Sequence, residues 1–153
     1  MKFTKTYEPN NYEPEIYTLW ETSNTFSSTG IGVPYSIVMP PPNANGNLHI
    51  GHGLMAAVED ILVRYHRLKG YDAVYLPGAD HAGFETWVVY ERLLNKEGKS
   101  RFDFSRDELY QQVWDFVSKQ RGGMELQLRA LGVGADWEKS TFTLDDKVVK
   151  RVY

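Results

Sequence analysis

One short segment constrains the fold of this 153-residue chain most strongly: His49-Ile50-Gly51-His52, directly behind the turn-rich residues 40–47. An apolar run at residues 35–39 precedes the turn, and an amphipathic pattern over residues 54–69 follows the histidines. This order predicts a strand, a tight loop and a helix whose first turn carries both histidines. A helix start presents unpaired N–H groups and the positive end of the helix dipole, so the segment is suited to bind an anion.

The two histidines are three residues apart and therefore lie on one face of the predicted helix. Both can donate hydrogen bonds, and Gly51 between them leaves room for a flat ligand ring against the backbone. We interpret the segment as a cradle for a nucleotide and its phosphates. Two alternatives stay open: the histidines cap the helix, or they bind zinc together with Asp80 or His81.

Composition limits the classes of function. The chain has 17 basic and 20 acidic side chains, so it lacks the overall positive charge of a protein that grips nucleic acid with its whole surface. It has no cysteine, which excludes disulfides and thiolate metal sites and fits a reducing compartment. Residues 1–5 show no signal-peptide core, and no apolar run approaches a membrane span. We therefore expect a cytoplasmic protein without membrane contact.

Predicted strands and helices alternate over residues 35–97. A short helix is predicted to begin at Glu13-Pro14. Two strands are predicted, a buried one at residues 35–39 and a second at residues 72–76. Helices follow each strand, the first ending at Gly70 and the second running over residues 83–97. The predicted apolar stripes are Ile16, Leu19 and Trp20 on the first helix, and Leu54, Val58, Ile61, Tyr65 and Leu68 on the second. The alternation predicts an α/β fold, the first half of a Rossmann-like, parallel, doubly wound nucleotide-binding domain.

The remaining third of the chain is predicted to be mainly helical. Residues 105–108 match a capping box and open a fourth helix, which Gly122-Gly123 weakens or bends before a second helical stretch at residues 124–131. Residues 143–146 cap a last helix whose apolar residues are Val148, Val149, Val152 and Tyr153. Because the chain stops inside this helix, we expect it to be the first part of a longer protein.

Several segments together resemble the class I aminoacyl-tRNA synthetases, and within them the valyl type. The His-Ile-Gly-His signature stands at residues 49–52, behind Pro40-Pro41-Pro42-Asn43, which is similar to the Pro-Pro-Pro-Asn-Val-Thr-Gly of valyl enzymes. Leu76 to Gly83 is similar to their Leu-Pro-Gly-Thr-Asp-His-Ala-Gly, and Asp136-Trp137-Glu138 with Phe142-Thr143 matches their later pattern. The resemblance begins at Tyr7. It departs at Ala44-Asn45, which replaces Val-Thr, and at Glu85, where a small residue is usual.

The resemblance implies a reaction and a set of site residues. Valine is activated with ATP and Mg²⁺ to valyl-adenylate and then passed to tRNA(Val), with His49 and His52 as the catalytic residues. The implied ATP-binding residues are Asn43, Gly46, His49, Gly51 and His52. The implied amino-acid-binding residues are Pro41, Pro42, Asn43 and Asp80, and no structural metal site is implied.

The resemblance also implies a division of the chain and a missing remainder. Residues 1–34 are an N-terminal helix and linker, and residues 35–153 are the N-terminal part of the catalytic domain. The family's lysine-rich loop, editing insertion and anticodon-binding domain are absent, so the missing C-terminal part of the same protein is an expected partner. The alternatives are an isoleucyl-type synthetase and a non-catalytic remnant that binds a partner or RNA.

The positions of three further features suggest a role and an alternative for each. Asp80 follows the carboxyl end of the second predicted strand, where ligands bind in open sheets, so it can pair with an ammonium group or can cap the next helix. Pro41 and Pro42 can wall an apolar pocket or simply stiffen a turn. The basic residues 64–69 can contact phosphates of the acceptor stem or form a solvated helix end.

Overall fold

The computed structural model describes residues 6–152, so the predictions for residues 1–5 and for Tyr153 lie outside the described residues. The helices are α1 (Glu13–Thr22), α2 (Ile50–Leu68), α3 (Gly83–Lys96), α4 (Arg106–Ala130) and α5 (Asp146–Val152). The strands are β1 (Pro34–Val38), β2 (Asp72–Leu76), β3 (Gly78–Ala79) and β4 (Thr141–Phe142). Short 3-10 turns lie at Pro9–Asn11, Arg101–Asp103 and Trp137–Lys139. Among residues 6–152, no helix combines the length and the apolar character needed to span a bilayer.

The central sheet is parallel, as the alternation of elements predicts. β1 pairs with β2 in a register that runs from Pro34 opposite Asp72 to Val38 opposite Leu76, and α2 connects the two strands. The pairing continues beyond the strands as a bridge between Asn43 and Asp80. β3 and β4 form a second parallel pair. The two chain segments that carry the predicted site residues are therefore held side by side.

The prediction that β1 is buried is wrong. Its residues alternate between exposed and half-buried, and the side chain of Val38 is 69% exposed, whereas Met39 directly after the strand is buried. Within residues 6–152 the sheet that contains β1 has two strands, so one edge and one face of β1 are uncovered. β2 is the buried strand, with Ala73, Val74 and Tyr75 inside.

The predicted apolar stripe of α2 lies on the wrong face. Leu54, Val58, Ile61, Tyr65 and Leu68 are all exposed. The buried residues of α2 are Ala56, Asp60 and Val63, which also recur at three- and four-residue steps. Periodicity therefore fitted two faces of this helix, and the face that is buried carries the small side chain of Ala56. The stripe of α1 is wrong at Ile16 and Leu19, which are exposed, whereas Trp20 is half-buried. The buried residue of α1 is Tyr17.

The core consists of two clusters of buried side chains. The first lies between α2, the sheet and the end of α4, and consists of Met39, Ala56, Val63, Ala73, Tyr75, Leu128, Val133 and Ala135. The second lies under the loop before α2, and consists of Ala44, Ala79, Val117, Met124 and Phe142. Because α4 contributes to both clusters, it ties the two parallel strand pairs together.

α4 begins as predicted and continues where a break is predicted. Ser105 accepts a hydrogen bond from the backbone N–H of Glu108, and the Glu108 carboxylate accepts one from the N–H of Ser105, which confirms the capping box. The helix then runs without interruption through Gly122 and Gly123. Val117 before the glycines and Met124 after them are both buried, and this packing outweighs the low helix propensity of glycine.

The basic end of α2 turns inward rather than toward solvent. Arg64 donates to the Asp60 carboxylate at 2.6 Å and to the carbonyl of Gly132 at 2.6 Å. Arg67 donates to three backbone carbonyls, those of Phe26, Ala73 and Gly134. Asp60 also accepts the N–H of Gly134 at 2.9 Å. These side chains hold the loop after α4 against α2. For Arg64 and Arg67, the structure therefore shows neither of the two predicted roles, contact with acceptor-stem phosphates or a solvated helix end.

Candidate functional site

The two histidines of the sequence motif form a reciprocal cap at the start of α2. His49 is the N-cap residue, and its Nδ1 accepts the backbone N–H of Gly51 at 3.1 Å. Nδ1 of His52 accepts the backbone N–H of His49 at 3.2 Å. Since each Nδ1 is an acceptor, each neutral ring carries its proton on Nε2. Capping and ligand binding are therefore compatible, because capping uses Nδ1 and leaves an Nε2–H donor on each ring.

The two rings also pack against each other and against the backbone. Their centroids are 3.8 Å apart and the ring planes are 24° from parallel. A Cβ atom on Gly51 would lie 2.9 Å from Cε1 of His49, so any larger residue there would displace the His49 ring. The aromatic ring that lies against Gly51 in the structure is thus that of His49. Gly51 contributes to the site by allowing this ring position.

The pH dependence of the cap follows from the position of His52. Burial, together with the neighbouring His49, lowers the pKa of His52 below its ordinary value. Since the folded pKa is depressed, the neutral ring stabilises the fold above the unfolded pKa of about 6.5, and this contribution is lost as the pH falls through the folded pKa. Protonation also places a proton on the Nδ1 that accepts the backbone N–H of His49, which breaks this half of the cap.

We expect the parental chain to lose more thermal stability than a His52→Gln variant when the pH is lowered from about 7.5 to about 5. Glutamine at this helix position also accepts the N-cap N–H but does not titrate in this range. Thermal unfolding followed by circular dichroism at both pH values measures the difference. An equal loss of Tm in the two proteins would contradict the titration of His52.

A cleft of about 440 Å³ lies in front of the histidine pair. It brings together five of the predicted site residues and adds several neighbours; its lining consists of Pro40, Pro41, Pro42, Asn43, Asn45, Asn47, Leu48, His49, His52 and Met55. Gly46, Gly51 and Asp80 do not line it. The loop is held from α4, because Gln127 Oε1 accepts the N–H of Leu48 at 2.9 Å. This contact spans 79 residues of sequence and has no local signal.

Asp80 lies directly beside this loop. Its N–H donates to the carbonyl of Pro42 at 2.8 Å, and its carbonyl accepts the N–H of Ala44 at 2.7 Å. Its carboxylate Oδ1 accepts the N–H of His81 at 2.9 Å and the hydroxyl of Thr143 at 2.8 Å. The side chain is 35% exposed.

The alternative role of Asp80 as a helix cap is wrong. The N-cap of α3 is Ala82, in the left-handed conformation with φ at 44°, and no side chain caps this helix end. The hydroxyl of Thr86 instead donates to the carbonyl of His81, one turn back. The Asp80 carboxylate is therefore not used by α3.

Thr143 is a site residue for which the sequence predicted a different role, as part of the cap of the last helix; its hydroxyl instead contacts Asp80 and His81. It reaches Asp80 because β4 pairs with β3 in a register that sets Phe142 opposite Ala79. The N–H of Thr143 donates to the carbonyl of Ala79 at 3.2 Å, which extends the pairing by one residue. The sequence signal was the Phe142-Thr143 pair, but only the strand pairing shows what its hydroxyl contacts.

Zinc binding by the histidines finds no support in the geometry. Within residues 6–152, no three His, Asp or Glu side chains converge in an arrangement that would hold a metal ion. The donor set needed for a zinc site with Asp80 or His81 is thus not assembled.

Comparison with known proteins relates this geometry to a family. The family described as tRNA synthetases class I (I, L, M and V) matches residues 15–153. The valine–tRNA ligase of Fervidobacterium nodosum is 44% identical over 156 residues, covering 100% of this chain and 18% of the relative. That of Thermus thermophilus is 43% identical, covering 96% of this chain and 17% of the relative. That of Xylella fastidiosa is 42% identical, covering 94% and 15%. The chain thus spans less than a fifth of the length of these relatives.

A solved structure supports the same fold. The crystal structure of the ternary complex of Agrobacterium radiobacter K84 agnB2 LeuRS with tRNA and LeuAMS superimposes with a TM-score of 0.74. The match covers 94% of this chain and 17% of that chain, at 20% sequence identity, which supports the fold alone. The sequence match over residues 15–153 shows that the chain belongs to the class I tRNA synthetase family of the I, L, M and V types.

Proposed function

We propose that this chain supplies the ATP- and amino-acid-binding half of a valine–tRNA ligase, with residues 35–153 as the N-terminal part of its catalytic domain. The observation that carries the proposal is the histidine pair at the start of α2. Its capping bonds leave both Nε2–H groups free, and both rings line the cleft together with Pro41, Pro42 and Asn43.

The proposed chemistry uses these donors during transfer of the adenylyl group. The carboxylate of valine attacks the α-phosphate of ATP, the bond to the β-phosphate oxygen breaks, and pyrophosphate leaves with that oxygen. Negative charge builds up on the pentavalent phosphorus centre, where the Nε2–H donors of His49 and His52 and the positive end of α2 stabilise it. The proposed ATP-binding set is completed by Asn43, Gly46 and Gly51, and the ATP enters with Mg²⁺.

The amino acid is proposed to lie between the proline loop and Asp80. The Asp80 carboxylate pairs with the ammonium group of valine, a charge-assisted hydrogen bond. Pro41 and Pro42 face the branched side chain as a rigid apolar wall. Such a wall distinguishes aliphatic side chains by volume, but it separates valine from the nearly isosteric threonine by only ~100-fold.

The proposal extends to the partners of the complete protein. The valyl group passes from the adenylate to the 3′ end of tRNA(Val), which requires polypeptide that corresponds to the rest of the relatives. We place the protein in the cytoplasm, together with its tRNA substrate. For the isolated chain we expect weak ATP binding and little or no aminoacylation, and turnover comparable to that of a complete synthetase would contradict this.

A chimera tests the proposed function directly. In it, this chain replaces the matching segment of the Xylella fastidiosa valine–tRNA ligase; we call it the Xylella chimera. We expect it to exchange pyrophosphate into ATP in the presence of valine. Faster exchange with isoleucine would favour the isoleucyl-type alternative, and no exchange with either amino acid would favour a non-catalytic remnant.

The role of Asp80 gives a prediction for the same chimera. We expect Asp80→Asn to raise the KM for valine about tenfold or more, because the ammonium loses a charged acceptor. The KM for ATP should stay within about twofold, since ATP binds at the histidine pair. Asp146→Asn, an exposed aspartate at the start of α5, is the control and should leave both values unchanged. A KM for valine that is unchanged in Asp80→Asn would contradict the ammonium role.

A further inference from the structure

The hydroxyl of Thr143 sits at the centre of a hydrogen-bond cluster with Asp80 and His81. It lies 2.8 Å from Oδ1 of Asp80, 3.0 Å from the backbone N of His81 and 2.7 Å from the ring Nδ1 of His81. Residues 80 and 143 are brought together by the β3–β4 pair. The cluster is part-buried.

Counting protons assigns every bond in this cluster. A hydroxyl has one proton to donate and two lone pairs that accept. Its proton goes to the Asp80 carboxylate, which can only accept, and one lone pair receives the backbone N–H of His81, which is shared with Oδ1 of Asp80. The second lone pair then has to receive a proton from Nδ1 of His81. His81 therefore carries its proton on Nδ1, opposite to the assignment for His49 and His52.

The same accounting distinguishes the two oxygens of Asp80. Oδ1 accepts both the N–H of His81 and the hydroxyl of Thr143, and it also lies 3.4 Å from Nδ1 of His81. No side chain or backbone group within residues 6–152 is bonded to Oδ2. The carboxylate is thus anchored through one oxygen, while the other is available to a ligand.

We propose that Thr143 is a positioning residue that anchors Asp80 through Oδ1, holds His81 in its Nδ1–H form and so presents Oδ2 to the ammonium group of the amino acid. The ligand part of this inference rests on the proposed function, whereas the anchoring and the histidine tautomer do not. Thr143 acts through Asp80 and does not itself contact the reacting atoms.

The tautomer can be measured in the 153-residue chain without any ligand. Long-range ¹H–¹⁵N NMR correlations at about pH 8.5, where imidazole is neutral, distinguish a proton on Nδ1 from one on Nε2. We expect the Nδ1–H pattern for His81 and the Nε2–H pattern for His49 and His52. An Nε2–H pattern for His81 in the parental chain would overturn the proposal, whatever the behaviour of any variant.

Three variants separate the hydroxyl of Thr143 from its bulk. Thr143→Ser keeps the hydroxyl, and Thr143→Val keeps the shape but removes the hydrogen bonds. Thr141→Val is the matched control on the same strand, because its hydroxyl donates only to the carbonyl of Lys139 at an exposed position. We expect the Nδ1–H population of His81 to fall in Thr143→Val alone. The parental tautomer in Thr143→Val would contradict the role of the hydroxyl.

Kinetics in the Xylella chimera test the ligand part. We expect Thr143→Val to raise the KM for valine about tenfold, with Thr143→Ser and Thr141→Val within about twofold of the parent. The kcat and the KM for ATP should change little, because Thr143 acts on the amino-acid acceptor and not on the phosphates. If the KM for valine is unchanged in Thr143→Val but raised in Asp80→Asn, the positioning role of Thr143 is overturned and the ammonium role of Asp80 stands. If Asp80→Asn also has no effect, the proposed ammonium site fails, and the tautomer measurement still decides the anchoring.

Discussion

Replacement of His49 by serine is expected to lower valine-dependent pyrophosphate exchange in the Xylella chimera by about 10²–10³-fold, the usual cost of one donor to the transition state. Serine is among the best N-cap residues, so it can accept the N–H that His49 accepts now. Serine has no counterpart of the Nε2–H donor of His49, whose side chain lines the cleft. The variant therefore removes the proposed catalytic donor while it keeps the helix start capped.

Two further variants complete this experiment. His49→Ala should lose the same activity and also about 1 kcal/mol of unfolding free energy, because the cap is gone. His66→Ser, on the same helix but stacked on Tyr35 away from the cleft, should retain exchange activity per folded molecule. Exchange rates, with thermal unfolding as the second readout, distinguish the roles. Full exchange activity in His49→Ser would contradict the catalytic role of His49 and leave it with a capping role only.

The second large effect is expected at Asp60, on the buried face of α2. Removing one partner of a buried ion pair typically costs about 3–5 kcal/mol. Because the Arg64 side chain is 37% exposed, we expect Asp60→Ala to fall at the lower end of this range and to lower the unfolding free energy by about 3 kcal/mol. Asp60→Ala removes two stabilising contacts at once. The guanidinium of Arg64 loses its carboxylate, and the buried N–H of Gly134 loses its acceptor. Burial already lowers the pKa of the neighbouring Arg67, and Asp60 is the strongest charge that opposes this.

Urea unfolding of the 153-residue chain measures this loss. Asp115→Ala is the matched control, since Asp115 is also within a helix and also bonded to a residue four positions away, Gln111, but on an exposed face. We expect its effect to stay within about 0.5 kcal/mol. A loss for Asp60→Ala as small as that of the control would show that the network does not stabilise the fold.

Much of the local structure could be predicted from the sequence. β2 was predicted over residues 72–76 as observed, α3 to within one residue, and the capping box at Ser105 with its partner Glu108. These features depend on short-range chemistry: turn residues, capping side chains and a glycine at a helix end. Part of the candidate site could be predicted for the same reason. Five residues that are close in sequence line one cleft: Pro41, Pro42, Asn43, His49 and His52.

Prediction failed where distant segments had to be placed against each other. Periodicity showed that residues 54–69 form a helix, yet apolar side chains occur on more than one of its faces. The buried face of α2 carries the small Ala56 and the charged Asp60. The Asp60 carboxylate can be buried there because it accepts hydrogen bonds from Arg64 and from the N–H of Gly134. A two-strand sheet likewise left Val38 uncovered, although it belongs to an apolar run.

By itself, then, the sequence determined the alternating strands and helices over residues 35–97, the helix start that carries the two histidines and the family of the chain. Each of these depends on residues within one or two turns of each other, or on a continuous pattern. Only the tertiary structure decided which face of α2 is buried, and that Thr143 anchors Asp80 across 63 residues of sequence. Such contacts form because β3 and β4 pair through backbone groups, which every residue has and which leave no mark on the sequence.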